Sequence, residues 1–166
     1  MVDLTRREAV RISAITAMAG AGASAGPVSA AEAVHAEANG AADNGIGRFE
    51  LTPSIAGIPR ISYASTHGNI AYLAGVTADP RDLGDVKDQT RKILARIDSL
   101  LAAVGTNKSK VLTAQVWLTD MELFAAHNDA WNEWVDAKNP PVRACLLSPR
   151  LWRPGMLVEI MVTAAL

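Results

Sequence analysis

The chain has 166 residues, about half of them apolar, with a net charge of −1 and a sequence pI near 6.3. That is room for one domain with a real core, plus a tail. No block of Lys and Arg stands out after the first dozen residues, which argues against nucleic acid as a partner. The single cysteine, Cys145, excludes an internal disulfide and a multi-cysteine metal site. No apolar run is long and greasy enough to span a membrane once the N-terminus is processed.

The first thirty residues read as an address. Arg6-Arg7, a weakly apolar stretch from Ile12 to Ala25, and the small residues Val28-Ser29-Ala30 make a twin-arginine-type signal peptide over residues 1–30. The pattern departs at Ala9 and Val10, where Phe and Leu are usual. Cleavage is expected at Ala30, with Ala33 as the rival, and the processed protein is expected in the periplasm or outside the cell. The competing reading is an uncleaved amphipathic helix on the body. Residues 31–48 hold almost no large apolar side chain and read as a flexible linker. The folded domain is then 49–166, starting near Phe49.

Ile61–His67 and Ile70–Val76 flank Gly68-Asn69 and predict a hairpin. Gly75 inside the second strand marks a bulge or a close backbone approach, with or without a ligand. Asp85 caps a helix whose apolar face is Val86, Ile93, Leu94, Ile97, Leu100, Leu101 and Val104, and Gly105 ends it. Val111–Leu118 is a strand, with Val111, Thr113, Gln115 and Trp117 on one face and Leu112, Ala114, Val116 and Leu118 on the other. Thr119-Asp-Met-Glu122 reads as a capping box opening a second helix. Its stripe is Phe124, Asn128, Trp131 and Trp134-Val135, in which Asn128 is either a core amide bonded to backbone or a site residue. Pro140-Pro141 stop that helix, and strands follow at Arg143–Leu147 and Leu157–Thr163. Glu159 is the odd residue of the last strand. The result is an α+β sandwich, one sheet with both helices on one face. Nothing is left to cover the other face, so self-association is expected.

The chemistry narrows to one residue. There is no Gly-x-Ser-x-Gly elbow, P-loop or dinucleotide glycine pattern, and His35, His67 and His127 lack metal spacing. No metal or cofactor is expected. Cys145 has no base placed near it by sequence and defaults to a small buried hydrophobe. Arg143 stands at the mouth of a strand, where its fork of donors matches a carboxylate or forms a structural ion pair.

Tyr72-Leu-Ala-Gly75, Val116-Trp-Leu-Thr-Asp120, Phe124-Ala-Ala-His-Asn128, Pro140-Pro-Val-Arg143-Ala-Cys145 and Leu157-Val-Glu159-Ile resemble the Rid/YjgF family, once labelled "endoribonuclease L-PSP". The likeness runs from about Ile61 to Leu166. Trp131, Trp134 and the ending Val-Glu-Ile-Met-Val are closer to a YoaB-like branch than to the archetypal imine deaminase. The resemblance implies a chorismate-mutase-like homotrimer with clefts between subunits. It implies that Arg143 clamps the carboxylate of a 2-imino acid, with the backbone at Cys145 facing the nitrogen or the attacking water. Asn128 and Gly75 would line the pocket. The family's water-positioning glutamate falls at Met161 and its pocket tyrosine at Ile61, with Tyr63 close by. A hydrolytic enamine/imine deaminase is the activity implied. The alternative is a non-catalytic trimer that binds small carboxylates.

Overall fold

A computed structural model describes residues 45–166. The expected signal over 1–30, both cleavage sites and nearly all of the expected linker lie outside the described residues.

The hairpin forms as expected, with Ser62–His67 (β2) antiparallel to Ile70–Leu73 (β3) around Gly68, whose φ is +57°. A strand absent from the sequence reading precedes it. Ile46–Leu51 (β1) pairs antiparallel with β2, so the domain begins at Ile46 rather than near Phe49, and residues 46–48 of the expected linker are strand. Only the second half of β1, with Phe49 and Leu51, carries the apolar alternation of a strand. The rest is ordered by backbone pairing with β2, helped by Gly47, where a Cβ would lie 2.5 Å from Thr66 Oγ1.

The second hairpin strand does not run through to Val76. It breaks at Ala74-Gly75 and resumes as Val76–Thr77 (β4). Both pieces pair with the last strand, Val158–Ala165 (β7), Tyr72 opposite Thr163 and Val76 opposite Ile160. Between these pairs, three residues of one strand, 73–75, oppose two of the other, 161–162, which is a one-residue bulge.

Between β4 and the centre of the sheet runs Val86–Ala103 (α1). Asp85 caps it as expected, its carboxylate accepting the Asp88 N–H at 2.9 Å. Gly105, φ +83°, closes it: its N–H reaches the Ala102 carbonyl at 3.0 Å and the Thr106 N–H the Leu101 carbonyl at 2.9 Å, a Schellman motif. After a 3-10 turn the chain enters Val111–Leu118 (β5), crosses by Phe124–Trp134 (α2), and returns as Val142–Leu147 (β6), parallel to β5. The expected capping box is not what starts α2. Asp120 caps a 3-10 turn, Met121–Leu123, by accepting the Glu122 N–H at 2.8 Å, and α2 continues from it.

The sheet is mixed, ordered β1-β2-β3-β7-β5-β6 with β4 beside β7. Alternate residues of β7, Val158, Ile160, Val162 and Ala164, are fully buried with Ile93, Leu94, Ile97, Leu100 and Leu101 of α1 and with Trp131 of α2. Each fully buried aliphatic side chain contributes about 1.5–3 kcal/mol of transfer free energy, so this layer dominates the stability. Among the described residues no helix lies on the opposite face, and rows can be read across it from the register. Tyr72, Thr163, Thr113 and Val142 make one row, Met161, Gln115 and Ala144 a second, and Thr77, Glu159, Trp117 and Leu146 a third. Tyr72, Leu112, Val142 and Leu146 are exposed there, Val142 at 72%. A bulge between Val111 and Thr113 corrects the expected faces of β5: Val111 is buried against the helices and Leu112 is thrown out.

Candidate functional site

Arg143 lies on the helix-covered face of the edge strand β6. Its register partner is Ala114, and Cys145 is opposite Val116, both of which are core residues. α2 supplies the lid over that edge. Asn128 and Trp131, three residues apart on one helical face, both reach the guanidinium. Arg143 Nη1 donates to Asn128 Oδ1 at 2.7 Å, and the guanidinium carbon lies 4.7 Å from the centre of the Trp131 ring.

The other edge of the guanidinium is unsatisfied. Nε and Nη2 are both shielded from solvent and have no hydrogen-bond partner, and no carboxylate pairs with Arg143 among the described residues. The structural ion-pair reading therefore does not hold there. Nε–H and Nη2–H are the two parallel donors that a carboxylate takes side-on. Burial lowers the pKa of Arg143, but an arginine stays charged at any physiological pH. A half-buried cation with two idle donors is costly unless an anion meets it.

His127 lies behind this group, fully buried. Thr90 donates its hydroxyl proton to the Val86 carbonyl at 2.7 Å, so Thr90 Oγ1, 3.0 Å from His127 Nδ1, accepts the Nδ1–H. That assigns the neutral tautomer with its lone pair on Nε2, which has no partner among the described residues. Burial, with the Arg143 charge adding to it, pushes the His127 pKa down to about 4. Cys145 lies two residues along β6 on the same face as Arg143. Burial pushes its thiol up, with the Arg143 charge pulling the other way, so it stays a neutral thiol and not a nucleophilic thiolate.

Of the residues singled out in the sequence, Arg143, Asn128 and Cys145 come together. Gly75 and Tyr63 do not join them. Tyr63 lies on β2, four strands from β6, or roughly 19 Å at ordinary strand spacing. It sits under the Arg96 guanidinium, 5.4 Å from ring centre to Arg96, which also pairs with Glu50. Gly75 occupies the β3–β4 bulge, and what approaches it is Glu159: a Cβ at residue 75 would lie 2.0 Å from Glu159 Oε1. Glu159 is half-buried, makes no hydrogen bond or ion pair among the described residues, and burial raises its pKa. Its register neighbours are Thr77 and Trp117, and Trp152 donates its indole N–H to Thr77 Oγ1 at 3.1 Å.

Sequence reasoning missed Trp131 as the platform for the arginine and His127 as its buried neighbour. The stripe signal was real but shifted: His127, Ala130 and Trp131 are buried whereas Phe124 is 40% exposed. Two surface cavities, of about 240 Å³ beside Thr52 and Arg60 and about 210 Å³ in the 149–157 loop, are both clear of Arg143. The described residues thus hold two separate clusters, the Arg143 cluster on one face of the sheet and the Gly75–Glu159 cluster on the other.

Comparison with known proteins agrees with this architecture. The family model described as "Endoribonuclease L-PSP" matches residues 53–166. A RutC family protein from Haemophilus influenzae is 44% identical over 105 residues, covering 63% of this chain and 90% of the relative. The RutC family protein YoaB from Escherichia coli K12 is 43% identical over 100 residues, covering 60% and 84%. Among solved structures, a YjgF-family protein from Neisseria meningitidis superposes with a TM-score of 0.65 at 36% identity, over 72% of this chain and 93% of that one.

Proposed function

The chain belongs to the endoribonuclease L-PSP family, the Rid/YjgF proteins, and on that premise we propose that it is a hydrolytic deaminase of enamine and imine acids. The products are a 2-keto acid and ammonia. The observation that carries this reading is the idle Nε/Nη2 edge of Arg143, a carboxylate fork with no carboxylate of its own among the described residues. Asn128 steadies the other edge and Trp131 fixes the plane. Because Nε and Nη2 are shielded, the ligand is met by a swing of the side chain toward the edge of β6. Holding the imine in place is the main contribution, since positioning alone accelerates a reaction that water already performs.

The proposed assembly is a homotrimer in which the uncovered sheet face of one protomer meets the β6–α2 edge of the next. Supporting it are the exposed Tyr72, Leu112, Val142 and Leu146 and the separation of the two clusters in one chain. A non-catalytic carboxylate binder is the second reading. It is favoured by the lack of a proton carrier in the Arg143 cluster, where Asn128 cannot titrate, Cys145 is pushed up and His127 is pushed down. The proposed address is outside the cytoplasm; N-terminal sequencing of the exported protein is expected to begin at Ala31 or Val34.

The test is keto-acid release from 2-iminopropanoate generated in situ. Wild type is expected to exceed the background rate and Arg143→Ala to return to it. Saturable carboxylate binding without rate gain selects the binder. Equal rates for wild type and Arg143→Ala refute the arginine clamp.

A further inference from the structure

We propose that the loop between β6 and β7 is a second binding site, for a phosphate monoester. Residues 148–157 include Arg150 and Arg153 and no acidic residue, in a chain whose net charge is −1. Both arginines line the cavity of about 210 Å³ in that loop. Among the described residues neither has an ion-pair partner. Two unpaired cations on one concavity attract an anion. A phosphate monoester offers three oxygens, enough for two guanidinium forks, where a single carboxylate saturates one. Pro149, Leu151 and Met156 line the same cavity, so the body that carries the phosphate is small and uncharged.

The loop is held in one shape. The Ser148 N–H donates to the Leu118 carbonyl at 2.8 Å, and the Thr119 N–H to the Leu157 carbonyl at 3.0 Å. Gln89 of α1 is fully buried, and two of its three hydrogen bonds go to this loop. Its amide nitrogen donates to the Gly84 carbonyl at 3.1 Å and to the Gly155 carbonyl at 2.9 Å. Its Oε1 accepts the Leu157 N–H at 2.9 Å. A core amide satisfied in this way fixes the loop end from inside. On the outside, Trp152 is 61% exposed yet pinned at its edge by Thr77. The Arg153 guanidinium carbon lies 4.8 Å from the centre of that ring. Stacking engages the flat face of a guanidinium and leaves its N–H edge free for an anion. An arginine already placed loses less freedom when the anion arrives. The site is distinct from the carboxylate clamp. Leu118, at the end of β5, is opposite both Leu147 and Val158, so the loop leaves the sheet there. Arg143 is near the other end of β6, five residues before Ser148, or roughly 17 Å along an extended strand.

Calorimetric titration of inorganic phosphate and of propyl phosphate, at fixed ionic strength, decides this. The titrations use Arg143→Ala, so that the clamp cannot supply the binding. Both probes are expected to bind saturably. Adding Arg150→Gln and Arg153→Gln together should weaken binding at least roughly 100-fold, since each fork makes charge-assisted bonds to the phosphate. Propyl phosphate should also change the tryptophan fluorescence, and Trp152→Phe should remove that change. Flotation with phosphatidylcholine vesicles, with and without phosphatidate, separates the two sources of the ester. Protein carried up only by phosphatidate supports the site and makes its ligand a lipid headgroup. Protein left behind, with propyl phosphate bound in solution, supports the site and makes its ligand a soluble ester. No saturable binding of either probe and no flotation with phosphatidate overturn the proposal. So does equal affinity after both arginines are replaced. Should that double replacement fail to fold, a fluorescence change that survives Trp152→Phe overturns the placement. Each of these failures leaves the Arg143 clamp standing, because it was absent throughout.

Discussion

His127 couples the stability of the fold to pH. Its pKa in the fold is about 4, against about 6.5 for an exposed histidine. The unfolded chain therefore binds a proton that the folded chain refuses, and stability drops as pH falls from 6.5 toward 4. A shift of that size amounts to about 3 kcal/mol by pH 4. Urea denaturation at fixed protein concentration is expected to show that loss for wild type and a clearly smaller one for His127→Leu. Gly75 offers a second test on the same scale. Gly75→Ala places a methyl on the Glu159 carboxylate and is expected to cost about 1–3 kcal/mol, whereas in a Glu159→Ala background most of that cost should vanish. Additive losses in the double mutant would contradict the contact. The residues that carry these effects differ in how far the sequence disclosed them. Arg143 could be read because two prolines and a strand frame it. His127 could not, because its burial depends on Thr90, 37 residues away on another helix.

At the scale of elements, what was local in the sequence was legible. α1 followed from its apolar spacing, the Asp85 cap and Gly105; each of the apolar positions assigned to its inner face is buried except Val104, which is half-buried. Leu100→Ala is expected to cost about 2–5 kcal/mol in chemical denaturation, since it empties a fully buried position. Gly105→Ala should cost about 1–2 kcal/mol, because φ is +83° there. What depended on distant pairing was not legible. β1 carries too few alternating apolar residues to announce itself, and it exists because β2 offers it an edge. The bulges at Gly75 and Leu112 are properties of two strands in register, and one strand read alone gives an unbroken alternation. The second bulge inverted the expected faces of Val111 and Leu112. Thr119 does not cap α2: a 3-10 turn intervenes, Asp120 caps that turn, and α2 starts at Phe124 without a side-chain cap.

For the whole molecule, the predicted elements left one sheet face without a cover, and the described residues leave it so. Leu146 is 48% exposed in the same row as Glu159 and Trp117. Leu146→Glu is expected to shift sedimentation from trimer to monomer while α1 and the core keep their circular dichroism. A trimer unchanged by that charge would contradict the proposed interface. The candidate site was half visible from sequence in the same sense. Arg143, Asn128 and Cys145 come together, whereas Gly75 lies against Glu159 away from them, and Tyr63 is engaged with Arg96.

The central claim is that Arg143 holds a carboxylate. Calorimetric titration of a short 2-keto acid into wild type and Arg143→Ala tests it without depending on catalysis. Two charge-assisted hydrogen bonds are worth about 1.5–3 kcal/mol each, so the variant is expected to bind at least roughly 100-fold more weakly. Equal affinity in the two proteins would contradict the account.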